Sequence, residues 1–591
     1  MRQLKEFIKN KMVNNILFSV LGTIGIIKLF EITTTANLSN NLVNLIIFIL
    51  LFNIYKIIDQ HQKSERIFSY CFSIFLSLIL VIGAQLDVHG EIFWTLGTLI
   101  KIICLHFAIV PIIMYSTSYL KKINIKENLN YTRKLKLLTF SIIFLFNFLV
   151  FLALYPGIYG YDAGFQILQV LDSNVQLTSH FSLFFSFIIA LCINLGKLLF
   201  NNYQIGFAIY TLLQMIFMTY VATRISLYVC KKTHNKLLFI LCLIFYSLFP
   251  LYTAMVMSTA QDVIFSGLFA LVILNLIELV NDDDYYKNKL NFLKLIILIF
   301  LLCIARNNGY YATIATIPFI LLFKKNKKFL TILIFITPLI LYKIYTGPIY
   351  NLINVQNESS IREISSIPSQ QLARVYNYNY AVLDKKDLKL YNKFYTNLDD
   401  FKNYKFRQSI ADPIKNVLNV DETDKNKGKY LSFWMRVGIK DIENYTEALL
   451  LNNLGVWYPN KEYNDTRMYH PYIEYNMLDA KKWNKNYIEI KRNSKFPIYE
   501  KVLNIIIEKN KWKKIPIISS FFEMGTYFLI FIYTIGICIV RKQKKYFIPL
   551  ACIAGLYATV LAAPVALFRY CFPIVILMPV LATIIIEKKR N

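Results

Sequence analysis

Four charged side chains draw attention because each stands beside an apolar run long enough to lie in a membrane: Asp162, Asp262, Arg306 and Arg569. Asp162 belongs to Tyr155-Pro-Gly-Ile-Tyr-Gly-Tyr-Asp162-Ala-Gly-Phe-Gln166. Pro156 and Gly157 stop the preceding helix, and the tyrosines carry amphipathic rings favoured at a membrane interface. A carboxylate partly stripped of water at such a rim is a stronger proton acceptor, which suits general-base catalysis. The same residue fits the N-cap of a helix beginning near Gly164. Both roles are open from the residues alone.

Asp262 ends Met257-Ser-Thr-Ala-Gln-Asp262, where Ser258, Thr259 and Asp262 are all helix N-terminus types. With Asp162 it would equally make a place to bind a sugar or a cation. Arg306, in Cys303-Ile-Ala-Arg-Asn-Asn-Gly309, and Arg569, in Ala563-Pro-Val-Ala-Leu-Phe-Arg-Tyr570, sit between apolar stretches, where a guanidinium needs a partner. A lipid headgroup reached by snorkelling would satisfy them. So would a substrate phosphate, to which guanidinium offers paired donors. His180 and the pair Gln166 and Gln169 are further candidates for the same cleft, against plain structural roles as a lone histidine and the polar side of a helix. His89 and His470 have no His, Cys or carboxylate cluster at metal-ligand spacing, so no dedicated zinc site is expected. The cofactor stays unknown, with a divalent cation as one option. The chain contains no GxxxxGK[ST] loop, HExxH or GxSxG, the usual signatures of ATP-driven transport, zinc proteolysis and elbow-serine hydrolysis.

The elements that must position these residues are membrane spans. The 591-residue chain is 56% hydrophobic and 16% aromatic with a mean hydropathy of +0.45, which places it in the integral-membrane class. Its net charge of +29 comes mostly from basic clusters flanking apolar runs, so it reads as a topology signal and as contact with anionic membrane lipids, with no nucleic-acid partner. All nine cysteines lie in or beside apolar stretches, which excludes a disulfide framework. The excess of Ile, Asn, Lys and Tyr fits an AT-rich bacterial source.

A span takes roughly 20 mostly apolar residues. Candidates are 13–31, 41–55, 67–86, 92–119, 137–155, 181–200, 203–229, 237–253, 262–281, 290–305, 308–323, 329–346, 516–540, 546–563 and 567–586. Basic residues in the first turns and at 56–66 and 121–136 put the N-terminus inside and Asp162 outside. If 181–200 crosses, the later basic loops fall outside; if it lies along the outer face, they fall inside. The second option leaves fourteen spans and two cytoplasmic termini, the topology expected for a multi-pass protein of the bacterial plasma membrane. The chain then divides into an N-terminal four-span extension (1–136), a core (137–346) with an outward loop at 156–202, an extracytoplasmic domain (347–515), and a C-terminal three-span segment (516–591).

The order of parts resembles the GT-C membrane glycosyltransferases, such as the protein O-mannosyltransferases and the lipid A aminoarabinose transferase. The likeness runs over 137–328: an outward acidic loop after the first core span (Tyr155 to Gln166), Ser179-His180-Phe181 before the surface helix, the span 203–229 followed by Lys231-Lys232, and a second outward acidic loop at Gln261-Asp262. Arg306-Asn-Asn-Gly309 is similar to a basic element at the outer end of a later span, with a weaker echo at Arg569-Tyr570. Ser366-Ile-Pro-Ser-Gln-Gln371-Leu-Ala-Arg374 is also similar to a segment of a Gram-positive subgroup of these proteins. Phe181 replaces a common proline, and Asp162 stands where some members carry Asp-Glu.

The resemblance implies an all-α polytopic membrane protein, GT-C-like, with about 14 transmembrane helices, an outer-face surface helix and a mixed extracytoplasmic domain. It implies an inverting enzyme that moves a sugar from a polyprenyl-phosphate carrier to a cell-envelope glycan, lipid or protein acceptor. Asp162 would be the general base, Arg306 and Arg569 would meet the phosphate, and Asp262, His180 and Gln166 would hold sugar or acceptor. Alternatives from the same features are a lipid-linked saccharide flippase or other transporter, an envelope polysaccharide polymerase or ligase, and a non-catalytic scaffold.

Overall fold

The structure, a computed structural model, describes residues 11–33, 41–57, 63–122, 132–324, 326–356, 361–401, 408–459, 484–507, 515 and 518–587. The described residues form helices throughout, and pairing of extended backbone is limited to isolated bridges. The region 347–515, expected to be mixed, is mainly helical where it is described, with irregular backbone over 484–496 before the helix Pro497–Ile507. His470 lies outside the described residues.

The N-terminal extension consists of α1 (Lys11–Thr33), α2 (Asn41–Ile57), α3 (Lys63–His89) and α4 (Leu96–Lys122). The core follows as α5 (Arg133–Ala153), α6 (Tyr161–Leu171), α7 (Leu183–Phe200), α8 (Tyr203–Thr233), α9 (Lys236–Leu248), α10 (Pro250–Val256), α11 (Asp262–Asn281), α12 (Lys289–Ala305), α13 (Asn307–Phe323) and α14 (Lys328–Ile344). The main helices of the polar module are α15 (Ser366–Tyr378), α16 (Lys385–Phe394), α17 (Lys427–Lys440), α18 (Ile442–Asn452) and α19 (Pro497–Ile507). The chain closes with α20 (Met524–Val540), α21 (Phe547–Leu561), α22 (Phe568–Ile576) and α23 (Met578–Ile586).

Every run expected to lie in the membrane is a helix or a broken helix. Among the described residues nine helices are long and apolar enough to cross, or eleven if the bent pairs α9–α10 (52°) and α22–α23 (43°) each count as one span. The protein is thus an all-α, multi-pass membrane protein. The helix 183–200, expected to lie on the surface, is one of the nine.

Local chemistry sets the ends. Thr132 Oγ1 accepts from the Leu135 amide at the start of α5, and Asn202 Oδ1 accepts from the Gln204 amide at the start of α8. Asn201, in the left-handed region at φ 50°, ends α7 and turns the chain back. Pro250, which has no amide proton, stands at the first position of α10, where a donor would be idle in any case. One continuous apolar cluster joins α5, α8 to α14 and α20 to α23, and a second, running through Tyr533, fastens the extension to α20. Lipid is as apolar as these side chains, so close packing and interhelical polar bonds hold the bundle more than the hydrophobic effect does. One such bond runs from Asn147 Nδ2 on α5 to the Tyr246 carbonyl on α9 at 3.1 Å.

The polar module rests on the extension. Arg374 on α15 is 1% exposed and forms an ion pair with Glu447 on α18, while its Nη2 donates to the Gly90 carbonyl at 3.1 Å. Glu447 Oε1 also accepts from the Ile92 amide at 2.7 Å, so the α3–α4 turn is held by both partners. On the other side Ala411 donates to the Pro564 carbonyl at 2.7 Å, just before α22.

Candidate functional site

The site begins where two segments meet. After α5, Gly157 takes φ +137°, a conformation open to glycine, and Ile158 bridges Ser258 in parallel fashion. Ile158 donates to the Met257 carbonyl at 2.9 Å and accepts from the Thr259 amide at 3.0 Å. Thr259 Oγ1 accepts from the Gly160 amide at 2.7 Å. From α8, Gln214 Nε2 donates to the Val256 and Ser258 carbonyls at 2.7 and 2.8 Å. These bonds set the N-termini of α6 and α11 side by side, and each carries an aspartate in its first turn. Helix N-termini favour negative charge, so both carboxylates stand where the backbone field stabilises them.

Asp162 does not cap its helix. The helix starts at Tyr161, its N-cap is Gly160 without a side-chain cap bond, and the Asp162 carboxylate turns outward to Arg569. The capping role open to it from sequence is thereby excluded.

The two arginines come from other hairpins. Arg306 is the extended residue between α12 and α13, with φ −162° and ψ 137°. Its neighbours explain the Arg-Asn-Asn-Gly order. Asn307 Oδ1 accepts from Tyr342 at 2.7 Å, Asn308 Nδ2 donates to Thr559 at 2.7 Å, and a Cβ on Gly309 would lie 2.6 Å from the Leu302 carbonyl oxygen. Arg569 stands in the first turn of α22.

The four charges form one cluster. Arg306 pairs with Asp262, and Arg569 Nη1 donates to Asp162 Oδ2 at 2.8 Å while its Nε lies 3.7 Å from Asp262 Oδ2. Tyr570 sits between the guanidiniums, its ring centroid 4.6 Å from that of Arg306 and 5.3 Å from that of Arg569. Exposure is graded: Asp262 is 2% and Arg306 19% exposed, against 28% for Asp162 and 30% for Arg569. The inner pair is fixed, because separating buried partners leaves a bare charge. The outer pair is open and exchangeable, as exposed ion pairs hold weakly. A carboxylate able to take a proton thus stands beside cations able to take a phosphate.

Gln166 belongs to the scaffold behind this cluster. It is buried, and its Nε2 donates to Gln261 Oε1 at 3.3 Å; the same oxygen accepts from the Ser182 amide at 3.4 Å. Ser182 Oγ donates to the Ile304 carbonyl at 2.8 Å, which ties the start of α7 to the end of α12 near Arg306. Gln169 turns to Ser186 Oγ at 2.9 Å. His180 stands outside the four ion-paired residues, exposed in the turn before α7 with its ring edge-on to Phe181 at 4.7 Å. Among the described residues no group of three or more His, Cys, Asp or Glu is placed to hold a metal ion.

Sequence reasoning missed the parts that support the cluster. Tyr570 is visible only as the neighbour of Arg569, and Gln214 and Gln261 give no sign of their partners. A further unforeseen part is the segment 484–495, which covers α6. Asp172 accepts from Asn484 and Asn486 at 3.0 Å each and from the Asn174 amide at 3.0 Å. The Asn486 amide foremost, then the Asn174 and Asn484 bonds, hold its carboxyl down at about 2. Tyr159 donates to the Ile488 carbonyl at 3.0 Å, and Asn493 donates to the Tyr155 carbonyl at 2.7 Å.

Compared with known families, residues 171–591 match the model described as "Family of unknown function (DUF6020)". Asp162 and Gln166 lie just before the matched residues, while His180, Asp262, Arg306 and Arg569 lie within them. Neither the curated proteins nor the solved structures contain a match.

Proposed function

The chain belongs to the DUF6020 family, and we propose that it is an inverting membrane glycosyltransferase of GT-C type. It transfers a sugar from a polyprenyl-phosphate carrier to a cell-envelope acceptor at the outer face of a bacterial plasma membrane. Asp162 takes the proton of the acceptor hydroxyl as that oxygen attacks the anomeric carbon from the side opposite the phosphate. Arg569 and Arg306 neutralise the departing lipid phosphate, whose charge grows in the transition state. Asp262 holds Arg306 in place, and Gln166, through Gln261, steadies the helix start that carries Asp262. His180, in the exposed turn, faces the acceptor side.

The observation that carries this reading is the convergence of both acids and both arginines from four separate hairpins. A transporter uses charges distributed along a path through the bilayer, whereas these gather at one level. Helix α8 supports the placement at the outer face. Its 31 residues span about 46 Å at 1.5 Å per residue, more than the roughly 30 Å of a hydrocarbon core. Gln214, at the level of the site, lies about 26 Å from Lys231 on that scale. On this reading the first turns of α8, with α7 folded back on them, stand at the outer rim, and α7 lies along the outer face although it is long enough to cross.

The test compares cell-wall glycan composition in a deletion strain complemented with the parent chain, Asp162→Asn or Arg306→Gln. Loss of the same sugar in the deletion and in both variants is the expected result. A wall restored in full by a stably inserted Asp162→Asn chain would overturn the assignment.

A further inference from the structure

The cluster holds two carboxylates and two guanidiniums, so its formal charges cancel. A phosphate arriving at such a site does not meet a free cation. It must compete with a carboxylate already in place, and the graded burial decides which one yields. Asp262 is enclosed and also lies near Arg569, so its displacement from Arg306 would strand a buried charge. Asp162 is held by one 2.8 Å bond on the open side. It lies at a helix N-terminus, whose backbone field keeps its charge favourable after Arg569 departs. Arg569 in turn keeps a second acid within 3.7 Å through the exchange.

We infer that Asp162 serves as an internal anion that occupies Arg569 until a phosphate-bearing ligand displaces it. This inference rests on the reading of Arg569 as a phosphate-binding residue. The base and the phosphate share one cation, so filling the phosphate position is what frees the base. Binding is consequently ordered, with the anionic donor first and the hydroxyl acceptor second. Until the donor is bound, Arg569 engages Asp162 Oδ2, so the carboxylate is less available to water or an acceptor. The exchange moves no proton and breaks no covalent bond; it replaces one N–H···O⁻ partner of Arg569 by another.

The test is calorimetric titration of the full-length chain in detergent with dodecyl phosphate and, separately, with inorganic phosphate. Removing the internal competitor in Asp162→Asn should tighten dodecyl phosphate binding about tenfold, within the range common for coupled equilibria. Asp162→Glu, which keeps the competing charge, should bind like the parent. Arg569→Gln should lose binding. Asp162→Ser replaces the Asn variant if the latter is not recovered as a monodisperse protein. Equal or weaker binding by Asp162→Asn, with binding still lost in Arg569→Gln, overturns the exchange and leaves the phosphate site standing. Equal binding by Arg569→Gln and the parent overturns the phosphate site as well. Inorganic phosphate binding as tightly as dodecyl phosphate identifies a free-phosphate site and overturns the lipid-borne ligand.

Discussion

Asp162 and Arg569 meet at 2.8 Å across 407 positions of the chain. Neither is buried, yet each has its position fixed by elements that are. The Ile158–Ser258 bridge sets the start of α6, and the Pro564 carbonyl, held by Ala411, sets the approach to α22. Their relation to Asp262 and Arg306 makes the separate effects of single substitutions predictable.

Asp262→Asn should destabilise the fold by about 3–5 kcal/mol, because it leaves Arg306 without its buried anion. Asp162→Asn should shift stability by no more than about 1 kcal/mol, since its pair with Arg569 is partly exposed. Thermal unfolding in detergent distinguishes the two. Equal shifts would contradict the inner and outer division of the cluster.

Gly309→Ala would press a Cβ against the Leu302 carbonyl, 2.6 Å away. Relief requires the α12–α13 junction to open, and Arg306 sits in that junction. A loss of about 1–3 kcal/mol is expected, with a fall in sugar transfer larger than stability alone explains. Transfer measured in membranes at matched protein level checks it.

Asp172 gives the cover over α6 a pH dependence. Its carboxyl is held near 2, below the roughly 3.9 of an unfolded aspartate. A depressed value stabilises the fold above the unfolded value, and that contribution is lost as the pH falls toward the folded one. The melting temperature should therefore drop between pH 5 and pH 2.5 by more in the parent than in Asp172→Asn. Parallel curves would show that the amides of Asn484 and Asn486 do not hold the carboxylate.

Glu447→Gln should weaken docking of the polar module on the α3–α4 turn by about 3–5 kcal/mol, as Arg374 would remain buried with its charge unpaired. Arg374→Met combined with Glu447→Leu should recover part of that loss. Hydrogen exchange across 83–95 reads the difference. If the double variant is worse than the single one, the backbone bonds to Gly90 and Ile92 matter more than the charge pair.

The four charged residues were legible in sequence because each interrupts or ends an apolar run, where a charge is costly enough to need a reason. Their pairing was not legible. Asp262 with Arg306 and Asp162 with Arg569 depend on which hairpins lie side by side, which the Ile158–Ser258 bridge and the Gln214 bonds decide. Spans could be placed from hydropathy, but the length of α7 did not reveal whether it crosses. The polar module misled most. It was expected to be a mixed domain, while helices such as α16, with an Asp384–Asp387 capping box, are fixed by local signals spread among lysines and asparagines.

The 407-position gap also sets a biosynthetic order. At translation rates of about 5–20 residues per second, Arg569 follows Asp162 by roughly 20–80 s. Throughout that interval α6 is already made, and its aspartate lacks the Arg569 cation. A chain arrested before α22 would therefore carry the proposed base without the partner that restrains it. Under the exchange inferred above, the late-made hairpin that carries Arg569 is the one that makes the site wait for its donor.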